Sequence, residues 1–218
     1  MIDLDDICIS NTNRQLHATT SAIGQFKTDA MKARLLDIHP GCQITLVHDF
    51  VSEENVQAIL TGIGRPITAL VDAIDESEAK AAILAACTDL GIPAVTCGAT
   101  AGQRNAQHIL RGDLTEVDGD RLLSNSRRLM RKKHGFPAGL SMAQKRATKR
   151  RVRKWKIPCV YTLEPPPPKA TQTEDTSSFR LCDGSLGTAC FVTGTYGFAL
   201  ASLCVDMIAL DELVPPRR

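Results

Sequence analysis

Residues 67–96 read ITALVDAIDESEAKAAILAACTDLGIPAVT. A short apolar run, an alanine-rich run of helical length and a second short apolar run follow one another, and Gly91 punctuates the last two. Short, continuously apolar strands are those buried on both faces, and parallel strands must be joined by a long crossover, usually a helix. This one unit therefore argues for a parallel sheet covered by helices. The flanking sequence extends the alternation. Residues 2–4 read as a strand end, and 25–39 as a helix with Phe26, Ala30, Leu35 and Ile38 near helical spacing, stopped by Pro40-Gly41. Residues 43–47 read as a short strand, 52–63 as a helix carrying Val56, Ile59 and Leu60, and 108–110 as one more strand. The expected fold class is α/β: a Rossmann-like, doubly wound, mostly parallel sheet. Ligands of such sheets sit beyond the carboxyl ends of the strands.

Charge divides the chain more sharply than structure does. Residues 1–120 hold 8 Lys/Arg against 17 Asp/Glu, a net of −9, and residues 164–218 hold 4 against 7, a net of −3. Between them, residues 121–163 hold 14 Lys/Arg and no acid. Such a block is the footprint expected for a polyanionic partner. Arg127, Arg128, Arg131, Lys132, Lys133, Lys145, Arg146, Lys149, Arg150, Arg151, Arg153 and Lys154, within a basic segment spanning 121–157, are its candidate phosphate contacts. Phe136 and Trp155 are candidates to stack on exposed bases. Residues 142–156 are expected to be helical.

The 218 residues suit a single domain. Residues 164–178, EPPPPKATQTEDTSS, are expected to form a solvated, proline-rich flexible insertion. Residues 184–205 carry no charge and have the length of a membrane span, but their glycines and hydroxyl residues favour a buried C-terminal helix, with membrane association as the alternative. None of the eight cysteines is spaced C-x-x-C, so the expectation is reduced thiols in a reducing compartment, cytoplasmic or mitochondrial, and no zinc. The acidic start has no basic region ahead of an apolar run, which does not suit a secretory signal.

Candidate chemistry gathers at the expected strand ends. Asp3 ends the first strand, and in doubly wound folds an acid at the end of the second strand accepts hydrogen bonds from ribose hydroxyls. Arg14 and Lys27 follow, and an arginine fork with a lysine point charge suits a triphosphate. Asp75 lies just past the apolar strand that holds Asp72; a carboxylate there can hold Mg²⁺ together with substrate phosphates. Each has a plainer reading. Asp3 can be a turn residue, Lys27 a solvated helix lysine, and Asp75 a helix N-cap closing a capping box with Glu78.

The pattern made by Asp3, Asp5, Asp6, Ile7, Asn11, Asn13, Arg14 and Gln15, then Gly24, Gln25 and Lys27, then Asp72, Ala73, Ile74 and Asp75, resembles the adenylating superfamily of ubiquitin-activating enzymes and of the molybdopterin-synthase and thiamine-biosynthesis adenylyltransferases. NTNRQLHA (11–18), DAID (72–75), IPAVTCGATAGQ (92–103), PCVYTLEPP (158–166) and VTGTYGFALAS (192–202) resemble its tRNA threonylcarbamoyladenosine dehydratase branch. The proline-rich linker, the very basic 126–156 region and a less glycine-rich turn at 98–102 depart from it. The resemblance implies one adenylating domain over 1–218, ATP and Mg²⁺, a tRNA partner and a homodimer. It implies ATP-dependent cyclising dehydration of the modified adenosine through carboxylate adenylation. Arg14, Lys27 and Asp75 would be catalytic. Asp3, Asp5, Asn11, Arg14, Gln15, Lys27 and Asp75 would bind ATP, and Asp75 the metal. A sulfur-carrier or ubiquitin-like-protein adenylyltransferase is the alternative. Since the superfamily's glycine-rich phosphate loop precedes Asp3, the chain is expected to be N-terminally truncated and to lack the first strand. A catalytically inactive tRNA-binding relative is then a further alternative.

Overall fold

The computed structural model describes residues 1–138, 153–164 and 187–218. The chain forms two compact units, Met1–Ser52 and Glu53–Arg218.

In the first unit, the segments expected as strands at 2–4 and 43–47 do pair in parallel, but through a single bridge between Ile2 and Val47. Asp3 N donates to Val47 O at 3.2 Å and Val47 N to Met1 O at 2.9 Å. The chain then doubles back. Ile7 N donates to Gln25 O, Lys27 N to Asp5 O and Gly24 N to Ile7 O, all at 2.8–2.9 Å. Gly24 turns at a φ of +85°, in the left-handed region that glycine enters without steric cost. Ile7, Ala18 and Ala22 form the small core of this unit. Helix α1, Lys27–Ile38, follows where its spacing predicts.

The second unit begins with helix α2, Val56–Gly62, shorter at its start than the predicted 52–63. Strand β1 is Leu70–Asp72, helix α3 Ser77–Leu90 and strand β2 Ala94–Cys97. Residues 81–87 of α3 are all buried, which accounts for the alanines: a helix enclosed on every side needs small side chains all round. Gly91 closes it in the left-handed conformation, as helix C-termini often do. Strand β3 is Ile109–Asp113, helix α4 Arg121–Lys133, strand β4 Pro158–Thr162 and helix α5 Cys190–Ala209. The sheet order is β1-β2-β4-β3. The β1–β2 and β2–β4 pairs are parallel, and β3 closes the edge antiparallel to β4. The sheet is thus mixed but mostly parallel, as expected.

Two expectations change. Residues 153–156, the described end of the segment predicted as a helix at 142–156, are not helical. The Asp113 carboxylate draws them back by accepting from Trp155 N at 3.3 Å and Lys156 N at 2.9 Å, and Lys156 turns at a φ of +61°. The C-terminal helix is present, but it buries a stripe rather than its whole surface. Val192, Tyr196 and Leu200 pack with Val95 and Val160 of the sheet, whereas Phe191, Phe198 (81% exposed), Val205 and Ile208 face solvent. The helix is long and apolar enough to cross a membrane by length and composition. Residues 184–186 of the uncharged run and 165–178 of the proline-rich insertion lie outside the described residues.

Candidate functional site

The first unit holds six of the predicted nucleotide residues, and its doubled-back chain orders them. Lys27 Nζ forms an ion pair with Asp5 Oδ2 at 2.5 Å, and Asp3 Oδ1 accepts from Asp5 N at 2.9 Å. Asp3, Asp5 and Lys27 therefore stand together. The Arg14 guanidinium donates within its own turn, to Ser10 O and to Asn13 Oδ1. Asn11 is buried, and its Oδ1 accepts from Cys8 N at 3.0 Å, so it holds the turn that carries Arg14. The Gln15 Oε1 atom is buried without a hydrogen-bond partner. Sequence reasoning missed His17. Both its ring nitrogens are buried without partners. Burial, and then the Lys27 charge, hold it below the usual imidazole range, against the opposing pull of Asp3. It thus feels the charges of two of the predicted nucleotide residues, Lys27 and Asp3, and its surroundings favour the neutral imidazole. Its place within the NTNRQLHA run was the available signal.

The second unit holds Asp75. Its neighbour Glu76 caps α3, its carboxylate accepting from Glu78 N at 2.8 Å and Ala79 N at 2.6 Å. The capping role predicted as the plainer reading of Asp75 is thus taken by Glu76, and Asp75 stands exposed at the turn after β1. That turn is anchored from below. Asp72 Oδ1 accepts from Ile74 N at 2.9 Å, and Asp72 Oδ2 accepts from Lys80 Nζ at 2.7 Å and Thr96 Oγ1 at 2.6 Å. Lys80 Nζ also donates to Thr96 Oγ1 at 3.0 Å. Lys80 and Thr96 are fully buried and Asp72 is 2% exposed. Sequence reading had no signal for Lys80, because lysine is almost never fully buried and reads as a surface residue.

The end of β2 is tied to α4. The Asp120 carboxylate caps α4 by accepting from Leu123 N at 2.9 Å and accepts from Ala99 N at 3.1 Å; burial raises its carboxyl above the usual range. A Cβ at Gly98 would stand 2.0 Å from Asp120 Oδ2, which is why glycine occupies this turn. Burial pushes the Cys97 thiol up to about 11, so it is protonated at neutral pH and unsuited to nucleophilic attack. Among the described residues no three His, Cys, Asp or Glu side chains gather as a metal cage. A metal at Asp75 would share its coordination with phosphates and water, the arrangement Mg²⁺ favours. The exposed, uncommitted carboxylate fits that role.

The basic residues separate by burial. Arg128, Lys132, Arg153 and Lys154 are exposed, with Lys154 paired to Glu116 at 3.1 Å. Lys133 is paired to Glu53 at 3.2 Å. Arg127 is not a surface cation: it is buried, and its guanidinium donates to the carbonyls of Leu114 and Val117. Arg131 lies 5.1 Å over the Trp155 ring and donates to Pro137 O. Phe136 and Trp155, expected to stack on bases, are 3% and 1% exposed and pack on each other at 4.7 Å. They are core residues, held there by their apolar area. Lys145, Arg146, Lys149, Arg150 and Arg151 lie outside the described residues.

Comparison with known proteins bears on these features. The ThiF family model matches residues 1–196. Over 209 residues the chain is 33% identical to the tRNA threonylcarbamoyladenosine dehydratase of Haemophilus influenzae, covering 95% of this chain and 75% of that one. The solved structure of the E. coli tRNA N6-threonylcarbamoyladenosine dehydratase in complex with AMP matches with a TM-score of 0.75 at 32% identity, covering 97% of this chain and 76% of that one. Its complex with ATP matches with a TM-score of 0.76 at 30% identity, over 97% and 75% of the two chains.

Proposed function

The chain belongs to the ThiF family, in its tRNA threonylcarbamoyladenosine dehydratase branch, and from that membership we propose that it dehydrates threonylcarbamoyladenosine in tRNA at the expense of ATP. The substrate carboxylate attacks the α-phosphorus of ATP and pyrophosphate leaves, giving an acyl adenylate. The neighbouring carbamoyl group then attacks the activated carbonyl, a ring closes, AMP departs with the former carboxylate oxygen, and the carbamoyl group loses a proton. The net change in the nucleoside is loss of one water.

In this reading Asp3 binds the ribose, Arg14 and Lys27 neutralise the phosphates, and Asp5 holds Lys27 in place until the nucleotide competes for it. Asn11 and Gln15 complete the nucleotide pocket, Asn11 by holding the turn and Gln15 with its unpartnered amide oxygen. Asp75 would hold Mg²⁺, which supplies charge neutralisation on the phosphates when bound. The observation that carries the adenylation reading is the freedom of Asp75: Glu76 caps the helix, so the strand-end carboxylate is left exposed for a ligand. No cysteine nucleophile enters the sequence of steps. A homodimer is part of the reading, supported by the exposed apolar stripe of α5. A cytoplasmic reaction is part of it too, since that is where the tRNA substrate would be met.

Incubated with ATP, Mg²⁺ and tRNA carrying threonylcarbamoyladenosine, the protein should yield a nucleoside lighter by one water, with AMP and pyrophosphate in equal amounts. Mass spectrometry of the nucleoside digest reads this directly. Product that forms only when a sulfur-carrier protein is supplied would overturn the reading.

The exposed cations at the end of α4 give a second test. Arg128→Glu with Lys132→Glu should weaken tRNA binding and make the slope of log K against log salt shallower by about 1 for each phosphate no longer neutralised. An unchanged slope would remove this end of α4 from the tRNA surface.

A further inference from the structure

We infer that Lys80, together with Asp72 and Thr96, is a positioning device for Asp75, setting where the metal carboxylate stands; this rests on the reading of Asp75 given above.

A lysine and an aspartate are removed from water entirely at the point where β1 ends, β2 passes beside it and α3 packs over both. Apolar side chains of similar volume serve a core as well as a buried ion pair or better, so stability is a poor reason for charges here. What the charges supply is direction. Lys80 Nζ has two oxygen acceptors, Asp72 Oδ2 on β1 and Thr96 Oγ1 on β2, and the Thr96 hydroxyl donates in turn to Asp72 Oδ2. The closed triangle leaves the Asp72 carboxylate one orientation. Its other oxygen then receives Ile74 N, the amide immediately before Asp75. Beyond Asp75, the Glu76 cap fastens the chain to the first turn of α3. Asp75 is thus the exposed crest of a short turn clamped at both ends, and one clamp is buried and ionic.

A metal held by a single protein carboxylate has no second side chain to correct its place. The carboxylate's own backbone must be held instead, and groups that orient a ligand from behind are worth about 10–100-fold in metal affinity or activity. Lys80 is therefore a positioning residue and makes no contact with substrate in this scheme.

The test uses the full chain with a non-hydrolysable ATP analogue, and Mn²⁺ in place of Mg²⁺ so that the free ion can be read by electron paramagnetic resonance. Thr96→Val removes the hydroxyl while keeping shape and leaves the Lys80–Asp72 pair in place. It should weaken Mn²⁺ binding in the nucleotide complex about tenfold, and Thr96→Ser should restore it. Thr96→Ala, which cannot clash, carries the same readout should the valine variant fold poorly. Variants that melt at lower temperature yet bind Mn²⁺ as the parent does would overturn the inference and leave the triangle a purely structural feature. Asp75→Asn separates the two levels. If it binds Mn²⁺ normally, the reading of Asp75 fails and the inference with it; if it loses Mn²⁺ while the Thr96 variants keep it, the positioning inference alone fails.

Discussion

Lys80→Met lowers the free energy of unfolding by about 3–5 kcal/mol, seen as a shift in the urea midpoint with the slope unchanged. The reason is asymmetric. Removing the ammonium deletes the partner 2.7 Å from Asp72 Oδ2 and leaves a carboxylate that is 2% exposed with only Thr96 and a backbone amide to compensate it. An unpaired buried charge costs far more than the pair contributed, because neither water nor a counter-ion can reach it. The double variant Lys80→Met with Asp72→Asn should recover a substantial part of the loss, since no net charge is then buried. A single variant destabilised by less than about 1 kcal/mol would mean that water reaches Asp72 in solution.

Asp75→Asn should do the reverse: little to stability and much to rate. The side chain is exposed, and the helix cap belongs to Glu76, so unfolding free energy should change by no more than about 0.5 kcal/mol. The rate of ATP-dependent dehydration should fall about 10²–10³-fold, the range seen when one preorganised group facing the developing charge is removed. The readout is the initial rate of nucleoside product at saturating tRNA and ATP, measured beside the thermal midpoint. A fall in rate of less than about tenfold would take Asp75 out of the machinery. A lowered midpoint with unchanged rate would return it to the capping role that its position first suggests.

The two substitutions stand five residues apart and illustrate what was legible in advance. The β1–α3–β2 unit was readable because burial on both faces forces unbroken apolar strands and an alanine-filled helix, and those are properties of composition along the chain. Asp75 was readable as a candidate because strand ends are where such folds bind ligands. Its competing role as a cap could not be settled, since Asp75, Glu76 and Ser77 are all residues that begin helices and the choice turns on backbone angles.

Trp155 and Phe136 show the opposite limit. Lying in or beside a run of lysines and arginines, they read as stacking partners for bases. In the fold, the Asp113 carboxylate pulls residues 155 and 156 inward and the two rings pack together. Arg127 was likewise drawn inside by two carbonyl acceptors, 13 and 10 residues before it in the chain. Charge counting finds a basic block but cannot say which members face out.

By itself, then, the sequence determined the β1–α3–β2 unit, the mostly parallel character of the sheet and the residue types gathered at strand ends, because periodicity and punctuation are local; helix α4 and the central strand β4 were not read from it. Only the tertiary structure decided that Glu76 rather than Asp75 caps α3, that Lys80 is enclosed, and that Asp72 and Thr96 meet it from two neighbouring strands. Those outcomes depend on which groups water can no longer reach, and that is a property of packed elements, with 16 and 24 residues of chain separating the partners that decide it.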